Sequence, residues 1–550
     1  MLVFSLSPTL ASAQDPKLVE SIEVRITNVD VIVTDRSGKP VTGLTKDDFT
    51  IYENKRQQPI TNFYEMRAQP ENAGPAAATT SESANPPVAE PLSDSRQRRF
   101  LLFVDNYSIH PHDRNRVLEA LEKFVGTHMQ PGDSATLVSW NRALKVDVPM
   151  TRDKDVIRRG VSAMKAAVSG GPSMIVAKEQ LKSRCNDLFD QAKARRIPMG
   201  MAYGQSLSMI RSYADELVAV EKGTIESMRL VLAGMAGLEG KKVMVFTGAH
   251  LPERPGIDLF QWLDMTYAQY MRNQAPAMLS EGSERSQVLK LEALARKANA
   301  EGVAIYTIDT ASAEGGAIAA DSREAGDVSE QFADFTNTAM ALQALARVTG
   351  GMALSATRNF DVAFETVASD LSSYYSLGYR SDARTGSERA IAVKTRNPAY
   401  RVRSRQTYVA KSNEDEMNDR VIANVYGSGI HGEVPVSMEV GSPVRDNDEY
   451  LVPLKIHFDS KLTLIPDGAD LAGGFNVLVV VGSSAGALSK VSRIPQPVRI
   501  PKEKEAWFRA NPILFNVSIK MRPGENLLSV GVVDQISNSS GFTRASVVVP

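Results

Sequence analysis

Residues 98–373 predict an α/β domain built on a doubly wound parallel sheet, and the segments on either side of it predict all-β domains. Three observations carry this. Fully apolar runs such as "RFLLFVD" (99–105) alternate with stretches whose apolar residues recur at helical spacing. The segments 18–67 and 374–411 alternate at period two, as half-buried strands do. Residues 430–550 are nearly all strand-like, with Gly, Pro and Asn turns between the runs, which points to a β-sandwich.

Taken in order, "MLVFSLSPTLASA" joins an apolar run to a small-x-small triplet, so residues 1–13 read as a signal peptide. Val24, Ile26, Val29, Val31 and Val33 then interleave with polar residues, and two further short strands flank an Asn54–Lys55 turn. Residues 68–97, rich in Pro, Ala, Ser and Glu, cannot bury enough apolar surface to order themselves and read as a disordered linker. After the strand at 99–105, Val117, Leu118, Leu121, Phe124 and Val125 mark a helix. Strands follow at 134–141 and 144–151, a helix at 152–168, and a long helical region over about 205–238. "KKVMVFTG" (241–248) is a fourth apolar strand; a helix then ends at Gly302, where a C-terminal glycine belongs, before "VAIYTIDT". Helices at 336–351 and 360–375 bracket a short strand. The period-two segments are each too small for a stable sheet, so they are expected to pair into one β unit with the α/β domain inserted between them. "KSNEDEMNDR" reads as a polar connection, and Leu454, Ile456, Val477, Val479, Phe515, Val517 and Val530 as the core of the final sandwich.

A chain of 550 residues exceeds one hydrophobic core. Its net charge of -1 argues against a broad nucleic-acid surface. The single cysteine, Cys185, excludes an intrachain disulfide and reads as a small buried hydrophobe. No run approaches the ~20 apolar residues of a membrane span. With the leader, this predicts an exported protein, periplasmic or extracellular.

Four strings resemble the bacterial VWFA-related domain family, whose centre is a von Willebrand factor A domain. They are "VDVIVTDRSGKPVTGLTKDDFTIYENKRQQPITNFYEM", "RRFLLFVDNYS", "ALARVTGGMALSA" and "DLSSYYSLGYRSDARTGSERAIAVKTRNPAYRVRSRQTY", and the likeness spans about residues 20–410. The resemblance implies a doubly wound von Willebrand factor A-like domain in an exported protein that serves adhesion or assembly. Residues beyond about 420 lie outside it.

Metal-binding members of that family hold Mg²⁺ with an Asp and two Ser from a DxSxS loop, a Thr from a second loop and an Asp after the fourth strand, an oxygen-only shell with one open position. Here Asp105 holds the first position, but Tyr107 and Ile109 stand at the two Ser positions, with Ser108 out of phase. Pro172 replaces the Thr, with Ser173 beside it, and Thr247 is followed by Gly248 instead of Asp. Asp105, Ser108, Ser173 and Thr247 therefore form a degenerate site, weak or empty, and Asp105 is expected to accept hydrogen bonds from loop N–H groups instead. No cofactor is expected.

Other chemistries find little support. "HPHD" puts His110, His112 and Asp113 together, but Asp113 or its neighbourhood as a helix cap accounts for them. Asp309 ends a strand on the same sheet edge as Asp105 and reads as structuring its loop. "VSGGPS" and "EAGD" lack phosphate-loop spacing, and no GxSxG joins a strand to a helix. An enzyme is not expected. The segment 256–279 is rich in aromatics and Met, and Phe260, Trp262, Met265, Tyr267 and Tyr270 are its candidate partner-binding residues. Its other reading is a lid packed on its own domain. The function predicted is protein–protein interaction, with a partner in the cell envelope. An envelope scaffold without metal-dependent binding and an envelope hydrolase with an unrecognised site are the alternatives.

Overall fold

The computed structural model describes residues 2–4, 25–67, 97–167, 171–249, 251–270, 276–310, 325–354, 359–383, 385–426, 432–483 and 488–550. The linker expected at 68–97 and the leader expected at 1–13 thus fall almost wholly outside the described residues; Leu2–Phe4 lies parallel to Ile513–Phe515.

In the central domain the strands are β1 (Arg98–Asp105), β2 (Ser134–Trp140), β3 (Leu144–Thr151), β4 (Lys241–Gly248), β5 (Val303–Asp309) and β6 (Ala353–Leu354). They form one sheet in the order β6-β5-β4-β1-β2-β3. Every neighbouring pair is parallel except β2 with β3, a tight hairpin. The sheet is doubly wound: strand order reverses between β1 and β4, leaving a crevice at their carboxyl ends. Side-chain alternation splits the apolar strand β1 between two cores. Phe100, Leu102 and Val104 pack under α1 (Pro111–His128), α2 (Lys154–Ala166) and α9 (Phe360–Asp370). Leu101 and Phe103 pack under α4 (Met199–Ala233), α7 (Val288–Ala300) and α8 (Ala325–Thr349). These are the two helical layers that bury a parallel sheet on both faces.

A third core lies beyond the sheet. The helix α3 (Gly171–Lys193), the first half of α4 and the helix α5 (Ile257–Thr266) enclose Leu181, Cys185, Tyr203, Ile210, Phe260, Trp262 and Tyr267. The helical region expected over about 205–238 begins well ahead of that range, with α3 and the start of α4. Cys185 is fully buried there.

The flanking segments form a unit of two small antiparallel sheets. Ser373–Ser381 runs between Arg25–Thr34 and Ile60–Arg67, while Glu388–Thr395 pairs with Phe49–Glu53. Val29, Val31, Ile51, Tyr375, Leu377 and Ile391 fill the space between the sheets. Inside it the Glu53 carboxylate accepts hydrogen bonds from Ser381 Oγ (2.7 Å), Tyr408 OH (2.9 Å) and Tyr379 OH (3.3 Å), tying residues far apart in sequence. The unit is fastened to the central domain where Arg403 pairs with Asp370, whose other oxygen accepts from Tyr306 OH at 2.7 Å.

Residues 432–550 form two antiparallel sheets packed over Leu454, Ile456, Val477, Val479, Phe515 and Val530, with Val517 at the margin. Asn413–Tyr426, read from sequence as a polar connection, is a helix. Its Met417, Val421 and Val425 cover the outer face of the second sheet against Leu478, Val480 and Val533.

Candidate functional site

Asp105 is the last residue of β1 and sits at the crevice where strand order reverses. It is buried, 2% exposed, so its carboxylate must find partners inside the protein. One oxygen, Oδ1, accepts the N–H groups of Tyr107 and Ser108, each at 3.2 Å. The other, Oδ2, accepts the Ser108 hydroxyl at 2.7 Å. Ser108 Oγ in turn accepts the Ala249 N–H at 2.9 Å and so bridges the loops that follow β1 and β4. This is the local side chain-to-backbone bonding that a short polar loop favours. Burial still pushes the Asp105 carboxyl up to about 7, against the lowering effect of Ser108 and the two N–H groups.

The loop is pinned on its other side. Arg114 Nε donates to Asn106 Oδ1 at 2.6 Å, and its guanidinium reaches the Lys165 and Met164 carbonyls at the end of α2. Tyr107 N donates to the Trp140 carbonyl at 3.1 Å, and the Arg142 guanidinium lies 5.8 Å from the Tyr107 ring centroid. Ile109 is wholly buried. Helix α1 starts at Pro111 with His110 as its cap, its imidazole accepting the His112 N–H at 3.3 Å; Asp113 instead pairs with Arg116 at 3.0 Å. The cap expected at Asp113 is thus His110, because Pro111 takes the first helical position, where its missing N–H costs nothing.

Among the described residues, neither of the remaining predicted ligands hydrogen-bonds to the Asp105 carboxylate. Thr247 is buried opposite Val104 in the β1–β4 ladder. Ser173 stands exposed in the first turn of α3, and among the described residues no hydrogen bond joins it to Asp105. At Gly248 there is no room for a side chain. A Cβ there would lie 2.8 Å from Asp105 Cβ, 3.0 Å from Phe246 Cζ and 3.2 Å from Ser108 Oγ. The position that would have to supply a second carboxylate is occupied by Asp105 and Ser108 themselves. A hard cation needs about six oxygens in a fixed shell. Both Asp105 oxygens are engaged by protein donors, Gly248 excludes the second acid and Ser173 stands outside the Asp105 hydrogen-bond set. These residues do not fit the ion. Asp309 is aligned with Gly248 in the ladder, and the Thr310 N–H donates to the Gly248 carbonyl at 3.0 Å, closing the crevice from the β5 side.

Of the five partner-binding candidates, Phe260, Trp262 and Tyr267 are corrected: at 0%, 3% and 0% exposure they fill the core formed with α3 and α4 and offer no surface. Their rings face inward because helices α3 and α4 supply an apolar partner that the sequence reading had not recognised. Tyr267 packs edge-on against Phe189 and Tyr203, at 4.9 and 5.4 Å. Met265 and Tyr270 remain exposed, at 41% and 49%. The feature that the sequence reading missed was the role of Ser108. Its place three residues after Asp105, before a helix, was the available signal, since Ser and Asp at such spacing bond each other's loop.

No protein-family model matches the chain, and no curated protein matches it in sequence. Among solved structures, an aerotolerance-related membrane protein from Bacteroides fragilis NCTC 9343 is 10% identical, with a TM-score of 0.22 over 50% of this chain and 98% of that one. The conserved hypothetical protein BatB from Bacteroides thetaiotaomicron is 8% identical, with a TM-score of 0.21 over 50% and 97%. Likeness at this level carries no argument about fold or function.

Proposed function

We propose that this is an exported, non-enzymatic protein of the cell envelope whose central domain is von Willebrand factor A-like and binds another protein without a metal ion. The observation that carries the reading is the state of the crevice at the β1–β4 switch point. That is where an open α/β sheet normally takes its ligand. Here Asp105 is bonded to its own loop, Ser108 bridges to Ala249, and Gly248 leaves no space for a second acid. A partner's carboxylate therefore has no cation to complete, and recognition falls to exposed surface such as Met265 and Tyr270, in the segment that follows β4. Among the described residues no helix is long and apolar enough to cross a membrane.

An envelope scaffold is the second reading. It is favoured by the junctions between units, where Arg403 pairs with Asp370 and Lys411 with Glu301 and Asp419. The test is a pull-down from envelope extract with and without EDTA. Specific capture that survives the chelator and falls in a Met265→Ser, Tyr270→Ser double variant is the expected result. Capture abolished by EDTA would overturn the metal-independent reading, and no specific capture would favour the scaffold.

A further inference from the structure

We propose that the cleft at the opposite, amino-terminal edge of the central sheet binds a small oxyanion, a phosphate or carboxylate group, between Lys242 and Arg405. In a doubly wound domain the helices run antiparallel to the strands, so helix C-termini collect at this edge and favour cations there. The cleft has a volume of about 1460 Å³ and lies between the central domain, the flanking β unit and the helix Asn413–Tyr426. Lys242 is the second residue of β4, and Arg405 reaches in from the β unit. An atom at the Cβ position of Gly302 would lie 3.6 Å from Arg405 Nη1 and 3.9 Å from Lys242 Nζ, so both cations converge on one point of the cleft wall.

Among the described residues neither cation forms an ion pair with a carboxylate. Lys242 Nζ donates to the Ala236 carbonyl at 3.2 Å, and Arg405 donates to the carbonyls of Asn299 (3.1 Å) and Asn28 (2.7 Å). A guanidinium has five N–H donors and an ammonium three, so most of their donors remain for a ligand. The acids whose charge reaches these two cations are committed elsewhere: Glu301 pairs with Lys297 and Lys411, Asp419 with Lys411, and Asp30, which acts on Arg405, with Lys241. A bound oxyanion would therefore complete a charge-assisted site that the protein leaves half-built.

The titration of Lys242 supplies a signature. Burial pushes its amine down to about 8; Glu301 and Asp419 oppose this, and Lys411 and Arg405 add to it. Anion binding through Lys242 is then strong near neutral pH and weakens as pH rises through about 8. The experiment is isothermal titration of the full chain with inorganic phosphate and, in a separate arm, with succinate. The expected result is saturable binding of one of them, weakened about tenfold or more in both Lys242→Met and Arg405→Gln. Lys242→Arg should retain binding and lose its decline above pH 8. Lys242→Met is the decisive variant, because Arg405 also ties two units together through Asn299 and Asn28, whereas Lys242 bonds only within the central domain. The proposal is overturned if neither anion binds saturably, or if binding is the same in wild type and Lys242→Met.

Discussion

Replacing Gly248 by Asp restores, on paper, the acid that metal-binding members of the family resembled in sequence carry after their fourth strand. The structure predicts that the change damages the protein and binds no ion. Carbon atoms pack at about 3.5–4.0 Å, whereas the new Cβ would stand 2.8 Å from Asp105 Cβ and 3.0 Å from the Phe246 ring. Asp105 Cβ is not the tip of a flexible chain, so relief requires the β1 and β4 backbones to part. Overpacking of this kind costs about 1–3 kcal/mol, which Gly248→Ala should report alone. Each kcal/mol moves the melting midpoint of a domain of this size by about 2–4 °C, so the alanine variant should melt roughly 2–12 °C lower. The aspartate adds a second buried carboxyl beside Asp105, and two like charges at one buried site keep one of them protonated. Gly248→Asp should therefore melt below Gly248→Ala, with no saturable heat on titration with Mg²⁺, Mn²⁺ or Ca²⁺. A Gly248→Asp protein that melts like the wild type and binds Mg²⁺ at micromolar concentration, with the binding lost on Asp105→Ala, would refute the account of a filled crevice.

Three further outcomes follow from buried acids. Glu221, on α4, is 2% exposed, and among the described residues neither carboxyl oxygen has a hydrogen-bond partner. Burial raises it to about 9, with Lys290 opposing. Because the folded value lies above the unfolded one, ionisation of the group costs folding nothing below about pH 4.5, and stability is lost as pH climbs toward 9. Glu221→Gln should thus be more stable than wild type by a margin that grows from about 2 kcal/mol at pH 6 to about 5 kcal/mol at pH 8. Urea melts at the two pH values check this, and a margin that stays constant counts against it. Asp105 behaves in the same sense with its value near 7: Asp105→Asn should flatten the fall of stability between pH 4 and 7. In the β unit, Glu53→Ala strips the acceptor from three buried hydroxyls and should cost about 3 kcal/mol or more. Faster amide exchange across 373–381 would locate the loss, and unchanged exchange there would contradict it.

The α/β and β character of the chain was legible because each kind of strand has its own signature. The apolar run 99–105 is buried on both faces, whereas Val29 and Val31 alternate with the less buried Asn28 and Asp30 until Ile32, which packs on the central domain. Helix α3 and the helix Asn413–Tyr426 were not read because their sequences are dominated by polar residues. In the second, Met417, Val421 and Val425 do recur at four-residue steps, but only the sandwich sheet beneath them gives that stripe a partner. The same limit explains the aromatic segment. Composition marks Phe260, Trp262 and Tyr267 as apolar anchors, yet whether such anchors face a partner or their own chain depends on α3 and α4, which lie 50 or more residues upstream for most of their length. At the crevice, the identities of residues 105, 107, 109 and 248 already argued against a cation; that Ser108 bonds Asp105 and closes the gap needed coordinates.

The two edges of the sheet differ for a reason rooted in chain direction. At the carboxyl edge, strand ends and helix starts expose N–H groups, and a lone acid such as Asp105 can be satisfied by the backbone without any ion. At the amino edge the helices present carbonyls, and the sequence answers with paired basic residues at the start of both central strands. Arg98 donates to the His128 and Leu371 carbonyls at the ends of α1 and α9, and also pairs with Asp133. Arg99 reaches the Glu239 carbonyl, Lys241 pairs with Asp30, and Lys242 bonds Ala236. Arg98 and Lys241 are thus neutralised by acids, while Lys242 is not. A basic residue placed only to satisfy helix ends would be served by carbonyls alone, but Lys242 also lines a large open cleft beside a second such cation, Arg405. The amino edge thus carries, in Lys242 and Arg405, two neighbouring cations that among the described residues are met by carbonyls and by no acid.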